Sequence, residues 1–357
     1  HPASERCRVI LPFGLAIVGV GYWGPNWVRV ASEHPDIDLK VVCDLSPGRR
    51  AYIRERYPGI SVSADINRLL TDSSIDGAIL VTPLSTHEDL GLKILRAGKH
   101  LLIEKPLATT SDGAQRLVSA ALKSKVVLAV GHIFAYHPGV SKLVRELSDG
   151  SIGEMLYAQS QRMNLGPPDP NVDVVWDLAV HDLAIMYEIH GVNPAAVRAV
   201  GGKYTHGDLT DIAFINSRYA DGSMASHQVG WHAAEKKREF YVAGSTGSMR
   251  FDDSLVNDKL KIYGSGVDNR TADNPDNTGE LTYGSGQIRS VPLDEVEPLR
   301  QQCDEFVSAM FGGPPPTADG KAGLAVVSVL EAIERSISSD GRIIEVPFDG
   351  FNGDVHH

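Results

Sequence analysis

The sequence predicts an α/β protein in which a doubly wound parallel sheet precedes an α+β domain with a large, mostly antiparallel open sheet. Strand and helix signals alternate through the first third of the chain, the pattern of a parallel sheet covered by helices on both faces. From Val197 onward short β-type segments dominate. At 357 residues, the chain exceeds the roughly 250–300 residues that one hydrophobic core supports. We therefore expect domains at 14–134 and 135–350, between a loose leader (1–13) and a tail (351–357).

The first strand and the turn after it are the most informative stretch. Leu15–Val20 is a short apolar run, typical of a buried parallel strand, and it breaks into Gly19-Val20-Gly21-Tyr22-Trp23-Gly24. In a G-x-G-x-x-G turn the first glycine permits the tight turn and the second lets the backbone approach a pyrophosphate. The third allows close packing of the following helix, whose N-terminus faces the phosphates.

A second strand supports this interpretation. Leu39–Cys43 ends at Asp44, 20 residues past the last glycine of the turn, where an acid is expected to meet the adenosine ribose hydroxyls. The sequence thus predicts a Rossmann domain that binds a dinucleotide. The alternative is an empty doubly wound domain with a chance acid.

The rest of the first domain continues the alternation. Helices are predicted after Ser46-Pro47 and over Ala64–Leu70, His87–Ala97 and Thr110–Leu122, and strands over Ile75–Val81, His100–Ile103 and Val126–Val130. Ligands of such sheets bind beyond the carboxyl ends of the strands. Because Asp44, Thr82-Pro83 and Glu104-Lys105-Pro106 all follow strand ends, we expect them to line one crevice with the glycine turn.

The second domain changes character along its length. Its predicted elements are helices at Pro138–Leu147 and Val174–His190, a strand at Met155–Leu165, a hairpin formed by Asp211–Tyr219 and Ser223–Trp231, strands at Lys236–Ala243, Met249–Phe251 and Lys259–Tyr263, a flexible loop at Gly264–Gln287, helices at Leu293–Phe311 and Lys321–Ser338, and a last strand at Arg342–Val346. The hairpin follows from its turn, Ala220-Asp221-Gly222, and the loop from its small polar residues.

Composition excludes several classes of protein. The chain is 42% hydrophobic and 22% charged, as in globular proteins. Its net charge of −11 and lack of a long basic run argue against nucleic-acid binding. No apolar segment approaches the ~20 residues that span a bilayer, and His1–Arg8 lacks the apolar region of a signal peptide. Cys7, Cys43 and Cys303 are too scattered for disulfides or zinc. We expect a cytoplasmic location.

Three residues are candidates for catalysis. Lys105 lies at the mouth of the crevice, and Asp177 and His181 lie four apart, on one face of a predicted helix. Hydride transfer at a carbon bearing oxygen needs a group that takes or gives the hydroxyl proton, and histidine suits that role near neutral pH. An ammonium stabilises the alkoxide. Singly, Lys105 also fits a solvated lysine and the pair a helix-stabilising contact. Their coincidence with the dinucleotide motif favours catalysis.

These motifs together resemble the glucose-fructose oxidoreductase, inositol dehydrogenase and rhizopine-catabolism (Gfo/Idh/MocA) family of NAD(P)-dependent oxidoreductases. The resemblance covers nearly the whole chain and rests on the glycine turn, Thr82-Pro83 with His87, Glu104-Lys105-Pro106-Leu107 and Asp177-x-x-x-His181-Asp182. It implies a six-stranded dinucleotide domain and a C-terminal domain whose open sheet forms the contacts of a homodimer or homotetramer. It also implies that Lys105, Asp177 and His181 are the catalytic set.

The resemblance and the motifs define the expected binding residues. For the cofactor these are Gly19, Gly21, Tyr22, Trp23, Gly24, Asp44, Arg49, Thr82, Pro83, His87, Glu104 and Lys105, and for the substrate Lys105, His132, His137, Arg162, Asn164, Asp177 and His181. Asp44 would repel a 2′-phosphate, which favours NAD. Arg49 and Arg50 leave NADP open, or form a solvated helix face.

Several of these positions have a second interpretation. Arg162 and Asn164 also fit ordinary edge-strand polarity. His137 departs from the arginine or asparagine that many relatives carry before the proline, which puts contacts at that position in doubt. His132, His206, His227 and His232 lack acids or cysteines at metal-ligand spacing, so no metal is predicted.

The sequence thus predicts an NAD(P)-dependent oxidoreductase that interconverts a secondary alcohol and a ketone on a sugar or nucleotide sugar. The run Gly21–Asn26, with Asn164-Leu165-Gly166 before Trp176, resembles members acting on nucleotide-linked sugars, often at C3. In oxidation His181 takes the proton, Lys105 steadies the oxyanion and Asp177 orients the base; exchanged roles for lysine and histidine stay open. The alternatives are an inositol or polyol dehydrogenase and a non-catalytic nucleotide sensor.

Overall fold

The computed structural model describes residues 12–166, 172–205, 207–264, 267–268, 282–283 and 286–347. The chain divides into two compact units: one takes in the chain up to Gly131 together with Leu299–Gly320, and the other takes in His132–Pro298 and the chain from Lys321. The first boundary falls after Gly131, close to the predicted one after residue 134. In addition, Leu299–Gly320 belongs to the first unit, whereas the whole of 135–350 was predicted as one domain. The predicted leader (apart from Pro12 and Phe13), the predicted tail and His206 lie outside the described residues.

The order of elements follows the predicted alternation closely. The helices are α1 (Gly24–Glu33), α2 (Pro47–Arg56), α3 (Asn67–Thr71), α4 (His87–Arg96), α5 (Ser111–Ser124), α6 (Pro138–Ser148), α7 (Val180–His190), α8 (Pro298–Met310) and α9 (Gly320–Ser338). The strands are β1 (Phe13–Val18), β2 (Ile37–Cys43), β3 (Ser61–Ser63), β4 (Gly77–Leu80), β5 (His100–Ile103), β6 (Leu128–Val130), β7 (Met155–Leu165), β8 (Ala196–Gly202), β9 (Ile212–Arg218), β10 (Met224–Gly230), β11 (His232–Gly244), β12 (Ser248–Asp252), β13 (Leu260–Tyr263), β14 (Val267–Asp268), β15 (Thr282–Tyr283), β16 (Ile288–Val291) and β17 (Ile344–Glu345).

The first unit is a Rossmann sheet. Its six strands run parallel in the order β3-β2-β1-β4-β5-β6, which is the dinucleotide-binding order with a crevice where the order reverses, between β1 and β4. Central strand residues are fully buried, among them Leu15, Ile79 and Leu102, because helices cover both faces of such a sheet. The carboxyl ends of β1, β2, β4 and β5 therefore lie along one edge, as predicted.

Strand β6 is completed by the chain that returns after Leu299. The Gln302 side-chain amide donates to the Val130 carbonyl oxygen at 2.8 Å, and the Val130 amide donates to the Ala318 carbonyl oxygen at 2.8 Å. Ala129 and Asp319 form an antiparallel bridge. These bonds occupy the free edge of β6, which an isolated sheet would leave unpaired.

The second unit is built on an open sheet of nine strands, in the order β16-β13-β12-β11-β7-β10-β9-β8-β17. Among the described strands of this sheet, β7 and β10 form a parallel pair and the other pairs are antiparallel. Val140 and Leu143 of α6 and Ile185 of α7 pack with Phe240 and Val242 of β11 in one buried cluster. The predicted mostly antiparallel sheet is confirmed.

Several local features differ from the expectations: strand β16 was not predicted, and the helix expected from Leu293 begins at Pro298. Val175–Ala179 is a π-helical turn that leads into α7, rather than the start of one regular α-helix. Within the predicted loop Gly264–Gln287, Val267–Asp268 and Thr282–Tyr283 pair as antiparallel strands. Strand β3 was not predicted, because Ser61–Ser63 carries a single apolar residue.

Two properties of the described residues bear on the class of protein. None of the helices in the described ranges combines the length and apolar character that a bilayer crossing requires. The same ranges hold no group of three or more His, Cys, Asp or Glu side chains that could bind a metal ion.

Candidate active site

The glycine turn has the backbone geometry that its pattern predicts. Gly19 has φ 93°, and a Cβ atom there would lie 2.5 Å from the Val81 carbonyl oxygen, so only glycine fits this position. A Cβ at Gly24 would lie 2.5 Å from the Gly19 carbonyl oxygen, and α1 begins at that residue. At Gly21 the nearest such atom is Arg49 Nη1, at 3.9 Å, which leaves the backbone open to a ligand.

Asp44 is tied to this turn. Its Oδ2 accepts the Val20 amide at 2.8 Å, its Oδ1 accepts the Ser46 amide at 2.8 Å, and Arg49 Nη1 lies 3.7 Å from Oδ2. The residue is 9% exposed. Each carboxylate oxygen has a further lone pair, so Asp44 can fix the turn and still accept from a ribose hydroxyl. Tyr22, which was also predicted to contact the cofactor, is 92% exposed.

His87 joins two of the strand-end loops. Its Nδ1 lies 2.8 Å from the Pro106 carbonyl oxygen and its Nε2 lies 2.9 Å from the Thr82 carbonyl oxygen. The ring is 1% exposed, and burial lowers its pKa. A neutral imidazole donates to one of the two carbonyls. His87 thereby connects the loop at Thr82-Pro83 with the loop that carries Lys105, whose peptide bond to Pro106 is cis.

Glu104, the residue before Lys105, is held by the tryptophans that flank the start of α1. Its Oε1 accepts from Trp27 Nε1 at 2.7 Å, its Oε2 accepts the Lys105 amide at 3.1 Å, and the Trp23 indole also donates to it. A Cβ at Gly131 would lie 2.5 Å from Oε2, so that glycine leaves room for the carboxyl group. Withdrawal from water raises the Glu104 pKa despite these donors.

The raised pKa gives a testable pH dependence. The folded state binds the Glu104 proton more tightly than the unfolded state does, so the bound proton stabilises the fold. This stabilisation is complete below the unfolded pKa of ~4.3 and is lost as the pH rises through the pKa of the folded state. A Glu104→Gln variant keeps an acceptor for Trp27 and has no proton to lose.

Chemical unfolding of wild type and Glu104→Gln at a series of pH values measures this effect. We expect the free energy of unfolding of the wild type to fall relative to that of the variant as pH rises above about 4.3. A difference that is flat with pH would show that Glu104 titrates alike in both states. Glu305→Gln, on α8, is the control.

In the second unit, Asp177 lies on the π-helical turn and Trp231 holds it. Trp231 Nε1 donates to Asp177 Oδ2 at 3.4 Å. The tryptophan is 1% exposed, and its amide donates to the Asp211 carbonyl oxygen at 3.0 Å. π-Helical turns inside helices occur frequently at functional sites. The carboxylate is thus positioned by a rigid, buried side chain from the strand end of β10.

His181 lies one turn further along, against an aromatic ring. Its ring centre is 5.1 Å from that of Phe134, edge to face. The Arg162 guanidinium lies over the same phenyl ring at 4.1 Å. Arg162 donates through Nε and Nη2 to Asp182 Oδ1, at 3.1 and 2.7 Å, and both residues are buried. Phe134 therefore contacts both the His181 ring and the Arg162 guanidinium, whose charge Asp182 neutralises.

Asp182 also receives a bond from the sheet. Ser160 Oγ donates to Asp182 Oδ2 at 3.0 Å and lies 2.8 Å from His227 Nδ1. His227 is 1% exposed, and burial lowers its pKa. The residue beside His181 in sequence is thus part of a buried polar network on the inner face of the sheet, which fixes the start of α7.

His137 has two structural contacts. Its Nδ1 accepts the Gly139 amide at 3.0 Å, which caps α6, and its Nε2 lies 3.2 Å from Asp253 Oδ1. Because Nδ1 accepts, the proton lies on Nε2 and is donated to Asp253. Two other predicted substrate residues have different surroundings. His132 is buried, at 2% exposure, and Asn164 Nδ2 donates to the Gly166 carbonyl oxygen at 3.2 Å.

The predicted residues thus form two groups. The glycine turn, Asp44, Thr82, His87, Glu104 and Lys105 lie at the strand ends of the first unit; Arg162, Asp177, His181 and the other substrate candidates belong to the second. Sequence reasoning missed the contacts of Trp27 and Trp231. A usable signal existed: the chain has four tryptophans, and a buried indole usually finds an acceptor for its N–H.

Comparison with known proteins identifies the family of this chain. The family described as "Oxidoreductase family, NAD-binding Rossmann fold" matches residues 13–132, and the "GFO/IDH/MocA C-terminal domain" matches residues 140–250. UDP-N-acetylglucosamine 3-dehydrogenase of Acidithiobacillus ferrooxidans is 28% identical over 269 residues, which cover 75% of this chain and 80% of that protein. The 2,7-anhydro-N-acetylneuraminate hydratase of Mediterraneibacter gnavus is 26% identical over 269 residues, 70% of each chain.

A solved structure shows the same fold. GenD2 from gentamicin A biosynthesis, crystallised in complex with NAD, superposes with a TM-score of 0.79 at 24% identity and covers 94% of this chain and 97% of its own. The two family domains match consecutive parts of the chain, which together cover more than half of it. The chain belongs to the Gfo/Idh/MocA family of NAD-binding oxidoreductases.

Proposed function

We propose that this chain is an NAD-dependent dehydrogenase that interconverts a secondary alcohol and a ketone on a sugar or nucleotide sugar. The observation that carries the proposal is the placement of Asp177, which the Trp231 indole holds on a π-helical turn directly before His181. A protein that only senses the nucleotide has no use for a positioned proton acceptor. The relative named UDP-N-acetylglucosamine 3-dehydrogenase supports the substrate class.

Each residue has one task in the proposed reaction. In oxidation, the imidazole of His181 takes the hydroxyl proton as the carbonyl forms, and Asp177 orients the ring and favours its charged form. The Lys105 ammonium stabilises the negative charge that develops on the oxygen. The cofactor, when bound along the glycine turn, supplies the acceptor for the hydride. An exchange of roles between Lys105 and His181 gives the same products, and the pH profiles of their variants distinguish the two assignments.

The choice of cofactor follows from Asp44. A 2′-phosphate near its carboxylate would face like charge, since Asp44 is fixed by the amides of Val20 and Ser46 and cannot turn away. Two like charges about 4 Å apart repel each other by about 4 kcal/mol near a protein surface. We expect kcat/KM for NAD to exceed that for NADP by at least about tenfold.

Asp44→Asn tests this directly, because asparagine retains an acceptor for the Val20 amide and loses the charge. In that variant, the ratio of kcat/KM for NAD to kcat/KM for NADP should decrease. The rates are measured by the absorbance of the reduced nicotinamide. Asp65→Asn, beyond β3, is the control and should leave the preference unchanged. Equal use of NAD and NADP by the wild type would contradict the electrostatic argument.

A substrate panel tests the proposed activity itself. Purified protein with NAD is offered UDP-N-acetylglucosamine and other nucleotide sugars, free sugars, inositols and 2,7-anhydro-N-acetylneuraminate, and reduction of NAD is followed by absorbance. Turnover restricted to sugars or nucleotide sugars supports the proposal. Turnover restricted to inositols identifies a polyol dehydrogenase. Binding of NAD without turnover of any compound identifies a sensor.

The outer face of the nine-stranded sheet supports a homo-oligomer. Tyr157, Val200, Phe214 and Met224 are each between 40% and 60% exposed there, and exposed apolar groups on one face are typical of association sites. We propose a homodimer or homotetramer formed through this face, which light scattering of the purified protein tests. The cytoplasmic location stays a prediction from composition.

A further inference from the structure

We propose that the substrate carries an anionic group, a phosphate or a carboxylate, and that Lys236 and Arg238 bind it. We call these two side chains the anion subsite. The inference rests on the proposed function and narrows its substrate class, since it excludes a neutral sugar or an inositol as the preferred substrate. Both residues belong to the second unit, as His181 does.

The path of β11 presents these side chains. His232 pairs with Leu165 of β7, and Lys237 pairs with Met163, so β11 advances five residues where its partner advances two. Residues 233–236 therefore bulge from the ladder. Bulges re-aim side chains and occur often beside active sites. Lys236, the last residue of the bulge, is exposed, and Arg238 follows it on the inner face, paired with Arg162.

The charges around the bulge are unbalanced. Arg238 Nη1 lies 3.2 Å from Asp253 Oδ2, and Lys259 Nζ lies 2.8 Å from Asp253 Oδ1. One carboxylate thus faces two cations, and the Lys236 ammonium also interacts electrostatically with Asp253 and Arg238. The charge of Arg238 is the main cause of a lowered pKa at Lys236, as expected where like charges meet without enough counter-charge. Glu235 precedes Lys236 on the bulge and is exposed.

The neighbouring arginine is already neutralised. Arg162 donates twice to Asp182, in a pair that is buried, and ligand binding would have to break that pair at the cost of a buried charge. Arg238 shares Asp253 with Lys259 and keeps 36% of its side chain exposed, and Lys236 is exposed as well, so both of these cations can reach a ligand. An arginine fork beside a lysine is the usual arrangement for phosphate or carboxylate groups.

Phe134 relates the anion subsite to His181. The Arg238 guanidinium carbon lies 5.8 Å from the centre of the Phe134 ring, and the His181 ring lies 5.1 Å from the same centre. The Arg238 guanidinium carbon and the centre of the His181 ring are therefore at most 10.9 Å apart (5.8 + 5.1 Å), a span that a sugar carrying an anionic substituent can bridge. An apolar ring between a base and a cation pair fits a molecule with a reacting carbon at one end and an anion at the other.

The anion has two possible chemical sources, which one experiment separates. Pyrophosphate stands for the diphosphate of a nucleotide sugar, and glucuronate stands for a carboxylated sugar. Calorimetry with the NAD-loaded protein at low salt measures the binding of each. We expect the wild type to bind at least one of them, and Lys236→Gln/Arg238→Gln to bind that probe at least about tenfold more weakly.

Lys237→Gln is the matched control, because it removes a lysine adjacent in sequence whose side chain points to the opposite face of the sheet. It should bind the probe as the wild type does. Lys236→Gln alone serves if the double variant does not fold, which circular dichroism shows. With a substrate from the panel, both test variants should raise KM while the affinity for NAD, measured by fluorescence, is unchanged.

The two proposals can fail separately. Failure of the wild type to bind either probe, or equal binding by wild type and double variant, overturns the anion subsite. Efficient turnover of a neutral sugar, with an unchanged KM in the double variant, also overturns the anion subsite. That result would still support the proposed dehydrogenase activity. Loss of pyrophosphate or glucuronate binding in the variants, with no turnover of any panel compound, supports the subsite and removes the dehydrogenase.

Discussion

Replacing Lys105 with methionine should lower turnover by about 10²–10⁴-fold, while NAD still binds. Methionine keeps the length and apolar stem of lysine and lacks the ammonium, so the variant loses the charge that stabilises the developing oxyanion. The cofactor contacts that the glycine turn and Asp44 offer are independent of this side chain. Stopped-flow measurement of NAD reduction with a substrate from the panel gives the turnover, and fluorescence titration gives the affinity for NAD.

Lys93→Met is the control for this experiment. Lys93 lies on α4 and pairs with Asp89 at 2.8 Å, with half of its side chain exposed. Its loss removes a surface pair worth about 0.3–0.5 kcal/mol and should leave turnover unchanged. If Lys105→Met turned over at the wild-type rate, the lysine would have no part in the reaction.

His181→Gln should lower turnover by about 10²–10⁴-fold as well, with a change in the form of the pH profile. Glutamine retains hydrogen-bonding groups and has no titration near neutral pH. If His181 is the base, the acid limb of the profile for oxidation disappears in the variant. If it remains in His181→Gln and disappears in Lys105→Met, the lysine is the base.

His190→Gln is the control, because it replaces another histidine of α7 with glutamine. His190 stacks on Tyr219 with ring centres 3.8 Å apart and lies at the C-terminal end of the helix. We expect His190→Gln to lose some stability, since the stacked contact goes, and to keep its turnover and pH profile. A large loss of turnover in both variants would indicate a general disturbance of α7 rather than a role for His181 in proton transfer.

The fold could be predicted well because its signals are local. The turn from Gly19 to Gly24 needs only the steric freedom of glycine, and the order of strands and helices follows from short apolar runs and their breaks. Ser61–Ser63 escaped prediction because its pairing with β2 comes from the neighbouring strand, not from its own side chains. The π-helical turn escaped because an extra residue in one turn hardly changes the apolar pattern.

For the candidate site, the sequence predicted residues but not the contacts that hold them, and the roles of those residues stay predictions. Motif positions identified Glu104, Asp177 and His181, but the groups that hold them are distant in sequence: Trp27 is 77 residues from Glu104, and Trp231 is 54 residues from Asp177. His137 illustrates the opposite case. Its position predicts a substrate contact, which stays a prediction, and the structure adds contacts of its nitrogens with Gly139 and Asp253 that a sequence pattern does not reveal.

The return of Leu299–Gly320 to the first unit has a consequence for biosynthesis. During translation, the ribosome releases β6 long before it releases the segment that bonds to Val130 and Ala129. The nascent Rossmann sheet must therefore wait with an open edge while His132–Pro298 is made, and open edges invite non-native association. A fragment that stops at residue 134 would be trapped permanently in that unfinished state.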